Sequence, residues 1–425
     1  MQTIIIPVIW ILITFYLIVR LDFFKLSPVK PVWKYAAFFY KLILGFANYY
    51  IWLNIIGHGD SLRYYHDSLI VYNSLFENPI HYFELLTRSS LQNIPEHLVP
   101  YQKELYIEWH VNEYHMVRLL AILNVFTFGN IWANIVILSF AGISVSTALF
   151  KFFVRQITEN KKAVHLLFAL IFFLPSLIFW SGGILKEAPV FMLLGIILLQ
   201  LFKIERDNQS NKTPAQPLFI LLICLLLLFF IRDYLALLVA ANLVLFLWIR
   251  AFIQKNNPAK YFFLCSATIG VLFFLIPVIF PQWNYFQYAK QEQLYFLSGA
   301  LDPDYHFQTI GNSGLEVVQQ IPYALNNVFF RPNILHTQNL FRFYQSIELP
   351  LIWLLVGWLL FKSIRQKQQF SLTAAMFLMV CFELLFIYGL LVTDADTLSR
   401  YRSIPLFFIL LITWFHQPKM PKISA

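Results

Sequence analysis

Residues 217–249 read PLFILLICLLLLFFIRDYLALLVAANLVLFLWI, two apolar runs parted only by Arg232 and Asp233. As helices, runs of this kind cross or nearly cross the ~30 Å of hydrocarbon in a bilayer. The stretch therefore predicts two spans, 217–231 and 234–249, joined by a very short turn. Charges set so deep are expensive unless they pair or reach water.

Working outward, further spans fall at 3–19, 35–57, 131–150, 164–181, 187–202, 261–280, 349–361, 371–392 and 403–415, which makes eleven in all. The run LLAILNVFTFG at 119–129 is short and ends at Gly129-Asn130, which predicts a re-entrant or interfacial helix. The expectation is an all-α polytopic membrane protein, a single integral-membrane domain over 1–425 with about 11 transmembrane helices in a range of 10–13.

Composition agrees. Of 425 residues, 59% are hydrophobic and 12% charged, against about 25% charged in a typical soluble domain. That excludes a soluble enzyme with one helical anchor. Cys224, Cys265 and Cys381 have neither disulfide-framework nor metal-site spacing. The net charge of +9 lacks a basic helix or zinc pattern, so no nucleic-acid partner is expected.

Assigning alternate connections to the two faces gives one face 19 Lys and Arg against the acids Asp22, Glu159, Glu205 and Asp207. The positive-inside rule makes that face cytoplasmic, placing the amino terminus outside and the carboxyl terminus inside. The first apolar run lacks a leading Lys or Arg and a small-residue cleavage site, so it reads as a retained span. Two long external loops remain, 58–118 and 281–347, of a length that usually carries structure or function. Within them SLIVYNSLFENPIHYFELL (68–86) reads as one or two interfacial helices, and LEVVQQIPYALNNVFFRP (315–332) as a helix ended by Pro332.

Unusual polar residues collect on the external face. NIIGHGDSLRYYHDS (54–68) supplies Asp60, Arg63, His66 and Asp67, and helical spacing puts Asp60, Arg63 and Asp67 near one face. An Asp there can take a proton from a hydroxyl or help hold a divalent cation. LPSLIFWSGGILKEAPVF (174–191) sets Lys186 and Glu187 at the mouth of a helix, a cation for phosphate oxygens beside a carboxylate for a metal or an acceptor. Arg232 could grip a pyrophosphate through its fork of donors, or simply pair with Asp233. VTDADTLSRYRSIPLFF (392–408) adds Asp394, Asp396, Arg400 and Arg402, a phosphate or glycan clamp or else a flanking charge run, and Glu383 sits within a span. Each motif also has a plain structural explanation, as a helix cap, a snorkelling lysine or a solvated turn.

GDSLRYYHD and LPSLIFWSGGILKE together resemble the GT-C class of integral-membrane glycosyltransferases, including protein mannosyltransferase-like and lipid A sugar transferase-like bacterial families. The resemblance covers the architecture from residue 35 onward. It implies an inverting transfer of sugar from a polyprenyl-phosphate donor to a glycan, lipid or protein acceptor on the non-cytoplasmic face of the bacterial inner membrane. Asp60 carries over as the early catalytic acid. The acid follows the second span here rather than the first, and it is a single Asp rather than an acidic pair. Lys186, Arg232, Arg400 or Arg402 would then face phosphate, with Arg63, His66, Asp67 and Glu187 around the substrate. Whether the reaction uses a metal is left open; a divalent ion, Mg2+ or Mn2+, would fall to Asp60, Asp67 and Glu187. The competing readings are an O-antigen or exopolysaccharide polymerase using undecaprenyl-pyrophosphate-linked glycan through external arginines, and a lipid-linked oligosaccharide transporter. A structural membrane subunit would tolerate all the external charge substitutions.

Overall fold

The computed structural model describes residues 2–88, 94–106, 111–155, 161–206, 215–253, 257–297, 309–310, 314–334, 340–366 and 369–414. Among them there are helices and turns but no strand. Among the described residues, eight helices are long and apolar enough to cross a membrane, as expected of a multi-pass membrane protein. Of the other expected spans, 3–19 and 217–231 are shorter apolar helices, and the described part of 403–415, up to Trp414, is the second half of a helix that carries Asp396, Arg400 and Arg402 in its first half. The connection at 207–214 and the basic tail beyond 414, both used in assigning the faces, lie outside the described residues.

The chain divides into two compact units, Met1–Gln200 with Pro214–Leu237, and Leu201–Thr213 with Leu238–Ala425.

The first unit begins with α1 (Gln2–Arg20) and α2 (Pro31–Ile51), the latter extended by a wider turn over Trp52–Ile56. The loop that follows holds α3 (Asp60–Glu77), α4 (Pro79–Thr87), the short α5 (Val99–Glu104) and α6 (Val111–Thr127). The stretch 68–86 thus forms two helices, with Asn78 capping the second through Ile80 N–H at 3.0 Å and Pro79 in its first turn. Then come α7 (Ile131–Val154), α8 (Lys161–Phe173), α9 (Pro175–Gly182), the start of α10 (Glu187–Arg206), α11 (Ala215–Ile231) and the start of α12 (Asp233–Phe252). The span expected at 164–181 is broken at Leu174, because the residue before Pro175 is driven to extended backbone.

The core of this unit joins α2, α3, α4, α6 and α7 through Tyr49, Tyr64, Val71, Leu85, Tyr114, Leu120 and Ile135, and it takes in Ile184 of the SGGILKE turn. The apolar run at 119–129 is the second half of α6, and Leu120 and Ala121 are fully buried in it. A buried amide network pins α3, α6 and α7: Asn124 donates to Ser68 Oγ at 3.1 Å, Asn134 to Asn124 at 2.7 Å and Thr127 to Asn134 at 2.7 Å. Such groups must pair because burying them unbonded costs free energy.

The second unit comprises the rest of α10 and α12, with α13 (Pro258–Ile279), α14 (Phe286–Leu297), α15 (Gly314–Phe330), α16 (Leu340–Arg365), α17 (Leu372–Leu391) and α18 (Ala395–Trp414). Helix α15 ends two residues before Pro332. Helix α16 begins nine residues before the expected apolar run at 349, since its first half is mixed in polarity. Helix α17 is the hub, packed against α13, α14, α15 and α18. Its amino-terminal amides are capped by Ser371 and by Glu205, which accepts from Leu372 N–H at 2.7 Å and Thr373 N–H at 3.1 Å. Glu383 accepts a hydrogen bond from Asn242 at 2.8 Å, so the carboxyl within the span has a polar partner.

Candidate functional site

Three sequence-distant turns of the first unit converge. The first leaves α2 through Gly57 (φ 78) and Gly59 (φ 141), conformations that L side chains rarely adopt. A Cβ on Gly59 would also sit 2.8 Å from the Trp52 ring. The reversal delivers Asp60 as the first residue of α3.

The second is the SGG turn. Gly182 lies so close to α2 that a Cβ on Gly45 would come within 2.5 Å of the Gly182 carbonyl oxygen, and a Cβ on Gly183 within 2.6 Å of Asn48 Oδ1. Ser181 accepts a hydrogen bond from the fully buried Lys41 at 3.0 Å and donates to the Leu177 carbonyl at 2.6 Å. With Ile184 buried in the core, the turn is fastened on both sides and presents Lys186, with Glu187 opening α10.

The third is the break between α11 and α12. Arg232 is buried there and forms an ion pair with the equally buried Glu187. Its other terminal nitrogen donates to Tyr234 Oη at 2.8 Å. Asp233 turns to the adjacent backbone, accepting from Tyr234 N–H at 2.8 Å.

A fourth element, which the sequence analysis did not single out, completes the group. The first turns of α6 carry Glu113, His115 and Arg118. His115 lies against the Phe230 ring at 5.0 Å, and its Nδ1 is 3.0 Å from Arg118. Arg118 also donates to the Arg88 carbonyl and lies over the Tyr114 ring. The sequence signal was the run NEYHMVRLL, charges set into the start of an apolar helix.

The electrostatics place these groups in one field. Burial first, and Arg232 second, push the Lys186 ammonium down from its ordinary value to about 8, while Glu113, Asp60 and Glu187 act to hold it up. Burial, then Arg118 and Lys186, push His115 down to about 4, so its imidazole is neutral near pH 7. Among the described residues, Lys186 makes no hydrogen bond or ion pair of its own.

Asp60, Lys186, Glu187 and Arg232 are thus brought together. Arg63 and His66 are exposed on α3, while Asp67 is fully buried. Asp67 accepts from Tyr106 N–H at 3.1 Å and lies 3.0 Å from His66 Nδ1, fixing the loop after α5. Arg400 and Arg402 belong to the second unit. There Arg402 is buried and donates to the Arg331 carbonyl, Arg400 lies over the Tyr401 ring, and Arg342 approaches Asp396 at 3.4 Å.

The expected metal set does not assemble. Asp67 is committed to the Tyr106 amide and Glu187 to Arg232, and among the described residues no three His, Cys, Asp or Glu side chains are grouped to hold a metal ion. Compared with known protein families, curated proteins and solved structures, the chain gives no match.

Proposed function

We propose that the first unit holds the catalytic centre of a membrane glycosyltransferase of the GT-C type. It transfers a sugar from a polyprenyl-phosphate donor to a glycan, lipid or protein acceptor, with inversion. The observation that carries this reading is the convergence of Asp60, Lys186, Glu187 and Arg232 from three turns at least 45 residues apart in sequence. A carboxylate for the acceptor hydroxyl and a cation for the departing phosphate are the two groups such a reaction needs.

In this reading Asp60 takes the proton as the acceptor oxygen attacks the anomeric carbon, and the bond from that carbon to the phosphate oxygen breaks. Lys186 meets the charge that grows on the phosphate. Glu187 and Arg232 neutralise each other and fix the Lys186 turn against α11 and α12. The apolar outer faces of the spans, such as Phe219, Leu222 and Leu226 of α11, leave the lipid tail in hydrocarbon. The charge bias of the connections supports a site on the non-cytoplasmic face of a bacterial inner membrane, with the amino terminus outside.

The test is sugar transfer in membranes supplied with polyprenyl-phosphate sugars, comparing the parent with an expression-matched Asp60→Asn protein. Loss of transfer with the fold retained is expected, whereas equal transfer by both proteins would overturn Asp60 as the base. A polymerase is the second reading, favoured by Arg342, Arg400 and Arg402 at the ends of α16 and α18. It would require a polymeric pyrophosphate-linked donor in the same assay.

A further inference from the structure

Helix α14, in the second unit, is two-sided. Its sequence FQYAKQEQLYFL turns Phe286 and Gln293, two helical turns apart, into the protein. Gln293 is engaged there at both ends: Nε2 donates to the Leu390 carbonyl at 2.9 Å, and Oε1 accepts from Ile310 N–H at 2.7 Å. Phe286 stacks on Phe274 with ring centres 5.8 Å apart. The opposite side carries Gln287, Tyr288 and Gln291, exposed and neighbours on one face by the i,i+3 and i,i+4 relation.

The chain enters α14 through a tight turn at Pro281–Trp283, and Asn284 caps the helix by accepting from Phe286 N–H at 3.1 Å. Phe280 backs the Trp283 ring at 5.3 Å, and Tyr285 lies against the Phe273 ring at 4.4 Å and donates to the Phe273 carbonyl. Turn and helix thereby frame an open cavity of about 460 Å³, within the range of roughly 300–1,000 Å³ usual for ligand sites. Gln282, Trp283, Gln287, Tyr288 and Gln291 line it, and no charged side chain stands in its walls among the described residues. Trp283 and Tyr288 are 61% and 74% exposed, so each leaves most of its ring open. Among the described residues, the side chains of the three glutamines and Tyr288 make no hydrogen bond within the protein.

Aromatic faces set among carboxamides suit one ligand chemistry. A carboxamide offers a donor and an acceptor side by side, the match of two neighbouring hydroxyls. An aromatic ring presents its negative face to the C–H bonds on one side of a sugar ring. A phosphate or carboxylate would meet no cation here, and an acyl chain would take the amides out of water without a partner.

We propose that this cavity is a saccharide site. It takes a short, uncharged glycan whose ring faces lie on Trp283 and Tyr288 and whose hydroxyls pair with Gln282, Gln287 and Gln291. Aromatic residues also anchor helices at the membrane surface, commonly beside Lys and Arg; carboxamides in place of those cations favour the saccharide. The proposal goes beyond the glycosyl-transfer reading, since holding a glycan needs neither a donor nor Asp60.

The experiment is saturation-transfer NMR on the full chain in lipid nanodiscs, with empty nanodiscs as the blank. The probes are maltotriose, mannotriose, triacetylchitotriose and trigalacturonic acid. At least one neutral probe is expected to bind, and the acidic one to bind more weakly. Tyr288→Ala and Gln291→Ala, both at exposed positions, are each expected to weaken binding about fivefold or more, as one stacking face or one hydrogen bond is lost. Trp358→Ala, an exposed tryptophan of α16, leaves it unchanged. A Gln291→Cys protein is expected to react with a membrane-impermeant maleimide, more slowly when the neutral probe is bound, with the parent as the blank for its own three cysteines.

No neutral probe binding above the blank would overturn the site. Parental affinity in both Tyr288→Ala and Gln291→Ala would put the saccharide elsewhere and overturn the cavity as its place. Trigalacturonic acid binding as tightly as the neutral probes would overturn an uncharged ligand. A Gln291→Cys side chain silent to maleimide without any probe would show lipid covering the cavity, and would overturn the proposal in favour of a membrane contact.

Discussion

Arg232 closes on Glu187 across 45 residues of chain, both side chains almost wholly out of solvent, and so ties the α11–α12 break to the mouth of α10. Removing one partner of a buried pair strands the other charge, a loss of about 3–5 kcal/mol, whereas replacing both with apolar groups is often tolerated. Glu187→Leu and Arg232→Met are each expected to lower the melting temperature, and the double variant to lose less than either alone. Additive losses in a thermal-shift cycle would show that the two side chains are not coupled.

Lys186 gives two pH effects of opposite sign. Its pKa is held near 8 in the folded chain and lies near 10.4 for a free lysine. Between those values the unfolded chain binds more protons than the folded one, so this group's contribution to stability rises with pH. Phosphate affinity needs the charged ammonium and falls through the same window. Lys186→Gln is expected to remove both slopes, seen as melting temperature and farnesyl phosphate affinity between pH 7 and 10. Retention of the affinity slope in that variant would assign it to another group.

The spans were legible because a run such as 217–231 can only be satisfied in lipid or in a core, whatever its neighbours do. The turn residues Asp60, Lys186, Glu187 and Arg232 were legible for a related reason, as charges flanked by hydrocarbon. Their pairing was not. Arg232 stands next to Asp233, yet it pairs with Glu187, because Asp233 turns to the Tyr234 amide. Asp67 looked like a partner of Asp60 by helical spacing, but it is spent on the Tyr106 backbone, a contact between loop and helix that no periodicity encodes. Glu113 escaped notice because nothing local distinguishes it from an ordinary first-turn acid; what sets it apart is α6 lying between α3 and α11. Pro175 was visible, but its break in the apolar run was masked by hydropathy averaged on either side.

Gly45 and Gly182 set how closely α9 approaches α2, and so where the Lys186 turn stands. An added methyl at Gly45 meets the Gly182 carbonyl and the Ile135 side chain, with backbone on one side that cannot step aside. Gly45→Ala is expected to cost about 1–3 kcal/mol as overpacking, and to weaken farnesyl phosphate binding by shifting the turn. Gly270→Ala, where nothing lies within 4 Å of the new methyl, serves as the control and should leave both unchanged. If Gly45→Ala melts and binds like the parent, the two helices have room to separate and the turn is positioned by its other contacts, the Lys41–Ser181 hydrogen bond, the Arg232–Glu187 pair and Ile184.

Lys41 lies on the same face of α2 and is fully buried, with Nζ 3.0 Å from Ser181 Oγ and 5.7 Å from the centre of the Phe191 ring. Among the described residues no carboxylate pairs with it. Gly142 leaves the space its stem fills, since a Cβ there would come within 2.8 Å of Lys41 Cε. The stem therefore contributes packing, and the ammonium brings a desolvation cost that one hydroxyl only partly offsets. Lys41→Met keeps the volume and removes the cost, so its melting temperature is expected to match or exceed the parent's, with sugar transfer retained. Lys41→Ala opens a cavity and is expected to lose about 2–5 kcal/mol, as large-to-small core changes do. Loss of transfer in a stable Lys41→Met protein would contradict a packing role and give the ammonium a part in the chemistry, acting through Ser181 on the turn that carries Lys186.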